Sequence, residues 1–341
     1  MPYWVETEDW HTAGEPFRIV RTLPAGCEPQ GKTVAERRAN VISTPGHPLD
    51  VLRQTLCLEP RGHADMYGGF IVPPDDDGAL FGVMFWHKDG FSTACGHGTI
   101  ALGCWAFAHE MVTVPGGDGE VDVKIDVPSG RVTARLAVQG GKVAHVDFIN
   151  VPSYQLANDV AVEITGFERL AVDLAFGGAV YATLPASAVG LQVAKRHHDD
   201  FVRVGRQIKA SLGERGHHGA YDLYGVIFYD DVPHALGHHV VRQRNVTVFA
   251  DGEIDRSPCG SGTAARVAVL AAQGLLDETK TLIHDSIVDT TFEAKVTNIT
   301  ATAESAFPAV IPRVRGMAHL TGRHSFFIDP ADPVYPGFVF R

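Results

Sequence analysis

Two short runs in this 341-residue chain share one pattern. Cys95-Gly96-His97-Gly98-Thr99-Ile100-Ala101 and Cys259-Gly260-Ser261-Gly262-Thr263-Ala264-Ala265 both read C-G-x-G-T-x-A, and the two cysteines lie about half the chain apart. An apolar stretch follows each cysteine, so each thiol is expected at a helix N-terminus. Unsatisfied N–H groups and the helix dipole give that end positive potential. Such a field lowers a thiol's pKa and makes the thiolate accessible near neutral pH. Glycines on either side of His97 and of Ser261 let the backbone approach a ligand with no Cβ in the way. The same loops therefore suit a carboxylate.

Two such thiols fit the inversion of a carbon centre without a cofactor. One base takes a proton from one face while an acid delivers a proton to the other, and thiolate and thiol can exchange those roles. A proton beside a carboxylate is only weakly acidic, so the N–H cradle would have to stabilise the developing enolate. A Cys-His hydrolase with Cys95 as nucleophile is the other chemistry on offer, but it leaves Cys259 without a task. Cys57 and Cys104 read as buried packing residues, and Cys27 as incidental.

Other chemistries lack their residues. Pro258-Cys259 has no second cysteine at the spacing of a zinc deaminase, and no paired C-x-x-C zinc site occurs. Neither a strand-borne G-x-G-x-x-G nor a P-loop is present. Hence neither a zinc site nor a nucleotide cofactor is expected. The doublets His197-His198, His217-His218 and His238-His239 read as surface or loop positions.

The elements that must position the thiols follow from pattern. Runs such as "KTVAERRANVIST", "GRVTARLAV", "KVAHVDFINVPS", "GHHVVRQRNVTVFADG" and "EAKVTNITATAES" read as strands of a mixed or antiparallel sheet. Three segments read as helices, over 98–111, 194–214 and 262–276. The middle one spaces Phe201, Val204, Ile208 and Leu212 as a single apolar stripe. The other two are apolar on most sides and are expected inside the fold. A strand-rich stretch before each motif and a buried helix after it predict two similar halves.

Bulk properties set outer limits. The length suggests two domains. With 45% apolar and 20% charged residues, there is material for a sizeable core. A net charge of −11 argues against a nucleic-acid or anionic-membrane surface. Five cysteines, an odd and sparse set, read as reduced thiols. The first residues show no basic n-region or apolar h-region, and no run of about 18 apolar residues occurs. The expectation is a cytoplasmic protein.

Four segments resemble the proline racemase family: "DWHTAGEP" (9–16), "CGHGT" (95–99), "DRSPCGSGT" (255–263), and "GMAHLTG" with "DPADPVYPGF" (316–322, 329–338). The resemblance implies an α/β fold of two pseudo-symmetric halves of the diaminopimelate-epimerase-like type. Each half would be a mixed, mostly antiparallel sheet or barrel around a buried helix, with the active site in the cleft between them. The first would comprise residues 1–151 and 320–341, the second 152–319. The resemblance further implies that Cys95 and Cys259 are the acid/base pair, that His97 and Asp255 contact the ring nitrogen of a proline-like substrate, and that its carboxylate lies on the N–H groups of Gly96, His97, Gly260, Ser261 and Gly262. A homodimer is a common outcome for such folds.

Within that family the trans-3-hydroxyproline dehydratases typically carry Thr where this chain has Cys259. Elimination needs only one base, so two cysteines favour proton transfer across Cα. The expected activity is therefore an epimerase or racemase acting on proline or hydroxyproline, in the first place a 4-hydroxyproline 2-epimerase. The alternative is a trans-3-hydroxy-L-proline dehydratase, towards which the G-S-G after Cys259, "DMYGGFIVPP" and "FSTACGHG" lean. A non-catalytic ligand-binding protein on the same fold is a remote third.

Overall fold

Local turn chemistry starts the chain. Strands β1 (Tyr3–Thr12) and β2 (Glu15–Val20) pair antiparallel. The residues between them, Ala13 and Gly14, have φ of 52° and 98°, the positive pair that a tight hairpin turn requires. In the computed structural model, which describes residues 1–340, helices α1 (Val34–Ile42) and α2 (Pro48–Cys57) come next. Here the strand expected over "KTVAERRANVIST" is corrected to helix. Thr33 Oγ1 accepts the Glu36 N–H at 3.1 Å, and the Glu36 carboxylate accepts the Lys32 N–H at 2.7 Å. This reciprocal capping outweighs the β-branched composition. Helix α2 was not expected; its signal was Pro48 in the first turn, where no N–H is needed. Both helices bury Val34, Val41, Leu49, Leu52 and Leu56 in one cluster with Phe70, Met84 and Trp86.

Strand β3 (Gly68–Val72) runs parallel to β2 and antiparallel to β4 (Phe81–His87), on which β5 (Gly90–Phe91) folds back. Helix α3 (Gly96–Ala108) then crosses the sheet's inner face, packing on β1 and β2. Strand β6 (Gly119–Val127) lies parallel to β4 and antiparallel to β7 (Gly130–Gln139), and both also touch α3.

After β8 (Lys142–Ile149) the plan repeats. Strand β9 (Ser153–Val162) pairs antiparallel with β10 (Leu170–Phe176), and β10 with β11 (Val180–Pro185). Helix α4 (His198–Leu212) buries the expected stripe of Phe201, Val204, Ile208 and Leu212. It leads to β12 (Leu223–Asp231), parallel to β11 and antiparallel to β13 (Val240–Phe249), which carries the short β14 (Glu253–Ile254). Helix α5 (Gly260–Ala272) precedes β15 (Thr281–Asp285), parallel to β13. Strands β16 (Thr291–Thr300) and β17 (Ala309–Gly316) follow antiparallel, and β17 returns to pair with β9 and with β8. The ladder β9-β10-β11-β12-β13-β15-β16-β17 thus closes into an eight-stranded barrel around α5. Strand β18 (Ala318–Ile328) pairs with β1.

The chain divides into two compact units, residues 1–144 with the chain from 317 onward, and residues 145–316. They share a ladder: hairpin, parallel crossover through helix, antiparallel return, folded-back short strand, central helix, second parallel crossover. The α/β fold implied by the family resemblance is the one observed. Among the described residues no helix is long and apolar enough to cross a membrane.

Candidate active site

In the first unit, Cys95 is the N-cap of α3, with φ −154° and ψ 105°, ordinary extended backbone. Its Sγ accepts the Gly98 N–H at 3.2 Å. Its carbonyl accepts from Thr99 twice, the N–H at 3.0 Å and Oγ1 at 2.8 Å. The His97 ring stands beside the thiol, Nδ1 at 3.4 Å and Nε2 at 3.6 Å from Sγ. An imidazole at that distance can take or return the thiol's proton. Tyr67 and Phe17 hold the ring edge-on, at centroid distances of 4.9 and 5.9 Å. The Thr12 hydroxyl donates to the His97 carbonyl at 2.8 Å. Gly98 has no alternative, since a Cβ there would stand 2.5 Å from Phe17 Cε2 and 2.8 Å from Cys95 Sγ.

The second unit holds its cysteine differently. Cys259 caps α5 with φ +63° and ψ 108°, a region that side-chain-bearing residues rarely occupy. Its N–H donates to Ser257 Oγ at 3.0 Å, and Ser257 gives both its N–H and its hydroxyl to Asp255 Oδ1. The Pro258 carbonyl accepts from Asn245 Nδ2 at 3.1 Å and from Thr263 Oγ1 at 3.0 Å. The Tyr181 hydroxyl lies 3.8 Å from Cys259 Sγ and 2.7 Å from Ser261 Oγ. Burial pushes the Cys259 thiol well above its ordinary pKa, and the neighbouring Asp255 carboxylate adds to the rise. The Gly262 N–H and the Tyr181 hydroxyl act the other way without prevailing.

The remaining expected residues fall into these two turns. Gly96 and His97 open α3, and Gly260, Ser261 and Gly262 open α5, where helices leave N–H groups without intrahelical partners. Asp255 is buried at the start of the loop that ends at Cys259. Cys57 and Cys104 are packing residues, as expected; burial raises the Cys104 thiol to about 11. Sequence reasoning missed Tyr181 and Asn245, which reach the second motif from remote positions with no local pattern, and gave no role to Thr12 in "DWHTAGEP" or Tyr67 in "DMYGGFIVPP". Thr99 and Thr263 stood inside the shared C-G-x-G-T, where the threonine was the overlooked signal.

A sheet rolled around an apolar helix with a thiol at its N-terminus, built twice in one chain, defines an epimerase-type fold. The chain belongs to the proline racemase family, whose model matches residues 8–339. It is 41% identical to a trans-3-hydroxy-L-proline dehydratase of Bacillus cereus, over 98% of this chain and 97% of the relative. It is 39% identical to a 3-hydroxyproline 2-epimerase of Burkholderia multivorans, over 99% and 98%. Among solved structures it resembles a hydroxyproline epimerase from Agrobacterium vitis, solved with trans-4-hydroxy-L-proline bound, at a TM-score of 0.89 and 25% identity over 99% and 97% of the two chains.

Proposed function

We propose that the protein is a 3-hydroxyproline 2-epimerase, with Cys95 as the resting base and Cys259 as the resting acid. The unlike setting of the two thiols carries this reading. Cys95 has an imidazole nitrogen at 3.4 Å to receive its proton, whereas burial and Asp255 keep Cys259 protonated. A two-base inversion needs one thiolate and one thiol at the start of each turnover. The substrate carboxylate is assigned to the N–H groups of Gly96, His97, Gly260, Ser261 and Gly262, and the ring amine to His97 and Asp255. The hydroxyl is assigned to C3 rather than to the C4 expected from sequence, because two relatives about 40% identical over the whole chain are named for 3-hydroxyproline.

In this reading the Cys95 thiolate takes the Cα proton and leaves the electron pair in an enolate held by backbone N–H donors. Cys259 then protonates Cα from the opposite face. A second outcome is favoured by the dehydratase name of the Bacillus cereus relative. In trans-3-hydroxy-L-proline the Cα proton and the C3 oxygen lie on one face of the ring. The Cys95 thiol that has just gained the proton can pass it to the departing hydroxide. Water and a C2=C3 enamine result, and the enamine tautomerises to a cyclic imine.

The test is NMR of trans-3-hydroxy-L-proline with the enzyme in D₂O. Loss of the Cα proton with growth of cis-3-hydroxy-D-proline is expected. Imine without epimer would establish the dehydration outcome instead. Exchange with trans-4-hydroxy-L-proline alone would place the hydroxyl at C4. No exchange with any proline derivative would sink the reading altogether.

A further inference from the structure

The strain at Cys259 needs a restraint, and a buried hydrogen-bonded chain supplies one. The orientation of the Pro258–Cys259 peptide sets the Cys259 φ, and its carbonyl receives the Thr263 hydroxyl at 3.0 Å. Thr263 is itself fully buried on α5, and its Oγ1 lies 2.8 Å from His284 Nδ1 on β15. The single hydroxyl proton goes to the Pro258 carbonyl, so Nδ1 must carry the proton of the second bond. His284 is fully buried, and its Nε2 has no hydrogen-bond partner. Burial, with Arg266 nearby, pushes its pKa down to about 3, so the ring stays a neutral donor. A buried imidazole with an orphaned nitrogen is costly, and its one bond runs towards Cys259.

The first unit provides the control. There β4 pairs with β6 through Phe81↔Ile125 and Gly82↔Asp126, and β13 pairs with β15 through Gln243↔His284 and Arg244↔Asp285. Asp126 and Asp285 both bind an arginine Nε at 2.8 Å, Arg131 and Arg242 respectively. His284 therefore stands where the first unit has Ile125, a fully buried apolar residue. The matching threonine, Thr99, donates to the Cys95 carbonyl and not to the peptide before it. Cys95 has an unstrained φ, and its unit has no polar group at the position of the lock.

We propose that Thr263 and His284 are positioning residues that lock the Pro258–Cys259 peptide and so aim the Cys259 thiol. The lock rests on the reading of Cys259 as the acid, and its test separates the two ideas. Alkylation by iodoacetamide, followed residue by residue with mass spectrometry, needs no substrate; Cys95 serves as the internal reference. In Thr263→Val and His284→Ile, the Cys259 rate is expected to change by about fivefold or more while that of Cys95 stays within about twofold. Epimerisation kcat should fall about tenfold with KM within about threefold, and Thr263→Ser and His284→Asn, which keep the donors, should return kcat to within about threefold. The double variant Thr263→Val/His284→Ile should be no worse than Thr263→Val alone, because the two act in series. Should Thr263→Val fail to fold, His284→Ile, whose side chain the first unit tolerates at this position, gives the same reading. Unchanged Cys259 alkylation and kcat in folded variants would overturn the lock, as would additive losses in the double variant. A changed Cys259 rate in a protein that exchanges no Cα proton would uphold the lock and refute the function.

Discussion

The two units share a ladder and a motif, yet they treat their cysteines in opposite ways. In the first, the backbone at Cys95 is relaxed and an imidazole flanks the thiol. In the second, the backbone at Cys259 lies at φ +63°, a tyrosine hydroxyl replaces the imidazole, and the thiol is held protonated. The carbonyl two residues after each cysteine shows the same divergence. Thr12 donates a hydroxyl to the His97 carbonyl, whereas the Ser261 carbonyl faces Gly177 with no room for a Cβ there. Duplication preserved where each thiol sits on its helix. Side chains at matching positions differ, His97 against Ser261 and Ile125 against His284, and they give the two sulfurs and their helix starts different neighbours.

The strongest attack on that comparison is to remove each sulfur in turn. Cys95→Ser is expected to lower Cα exchange of trans-3-hydroxy-L-proline in D₂O by about a thousandfold or more, since a serine hydroxyl is a far weaker base beside the same imidazole. Cys259→Ser should cut formation of the C2 epimer by about a hundredfold but leave Cα exchange within about tenfold, because the first proton transfer is untouched. Equal losses of exchange in the two variants would mean that the thiols are interchangeable, whatever their settings.

A second contrast concerns how each helix start is buttressed. A Cβ at Gly177 would stand 2.5 Å from the Ser261 carbonyl oxygen and 2.7 Å from the Ala265 N, both backbone atoms that cannot step aside. Gly177→Ala should therefore destabilise the second unit by about 3 kcal/mol or more. Thr12→Val removes one buried hydrogen bond to a carbonyl within a helix and should cost about 1 kcal/mol. Chemical unfolding midpoints measure both. If the two variants lose the same stability, the buttresses are equivalent and the asymmetry is confined to the thiols.

The sequence shows this much of the molecule because repeats and periodicity are local signals. C-G-x-G-T-x-A marked both helix starts, and all three expected helices are present as α3, α4 and α5. The error at α1 came from reading Val34 and Val41 as strand residues when Thr33 and Glu36 were already a cap. The opposite temper of the two thiols was hidden for a different reason. Tyr181 on β11 and Asn245 on β13 reach Cys259 or its loop, and His284 on β15 reaches Thr263 on α5, only through long-range pairing. No spacing of residues records such contacts, and the left-handed φ of Cys259 carries no residue-type signal, since glycine and not cysteine is the usual occupant.

Acid sensitivity gives the finest test of the difference. The His284 pKa falls to about 3 in the folded chain, from about 6.5 when unfolded. A depressed folded-state pKa gives stability that is present above the unfolded value and is lost as pH falls towards the folded one. Below about pH 6 the unfolded chain gains a proton that the folded chain refuses, so unfolding free energy drops by up to about 1.4 kcal/mol per pH unit from this group. His284→Ile, which copies the first unit, should flatten that part of the profile between about pH 6 and pH 4. The matching change in the first unit, Ile125→Val, offers no titrating group and should leave the slope unchanged while lowering stability by about 1 kcal/mol. Parallel profiles for wild type and His284→Ile would mean that His284 takes up its proton as readily in the fold as in the unfolded chain. Burial in the second unit would then not be what keeps this imidazole neutral below about pH 6.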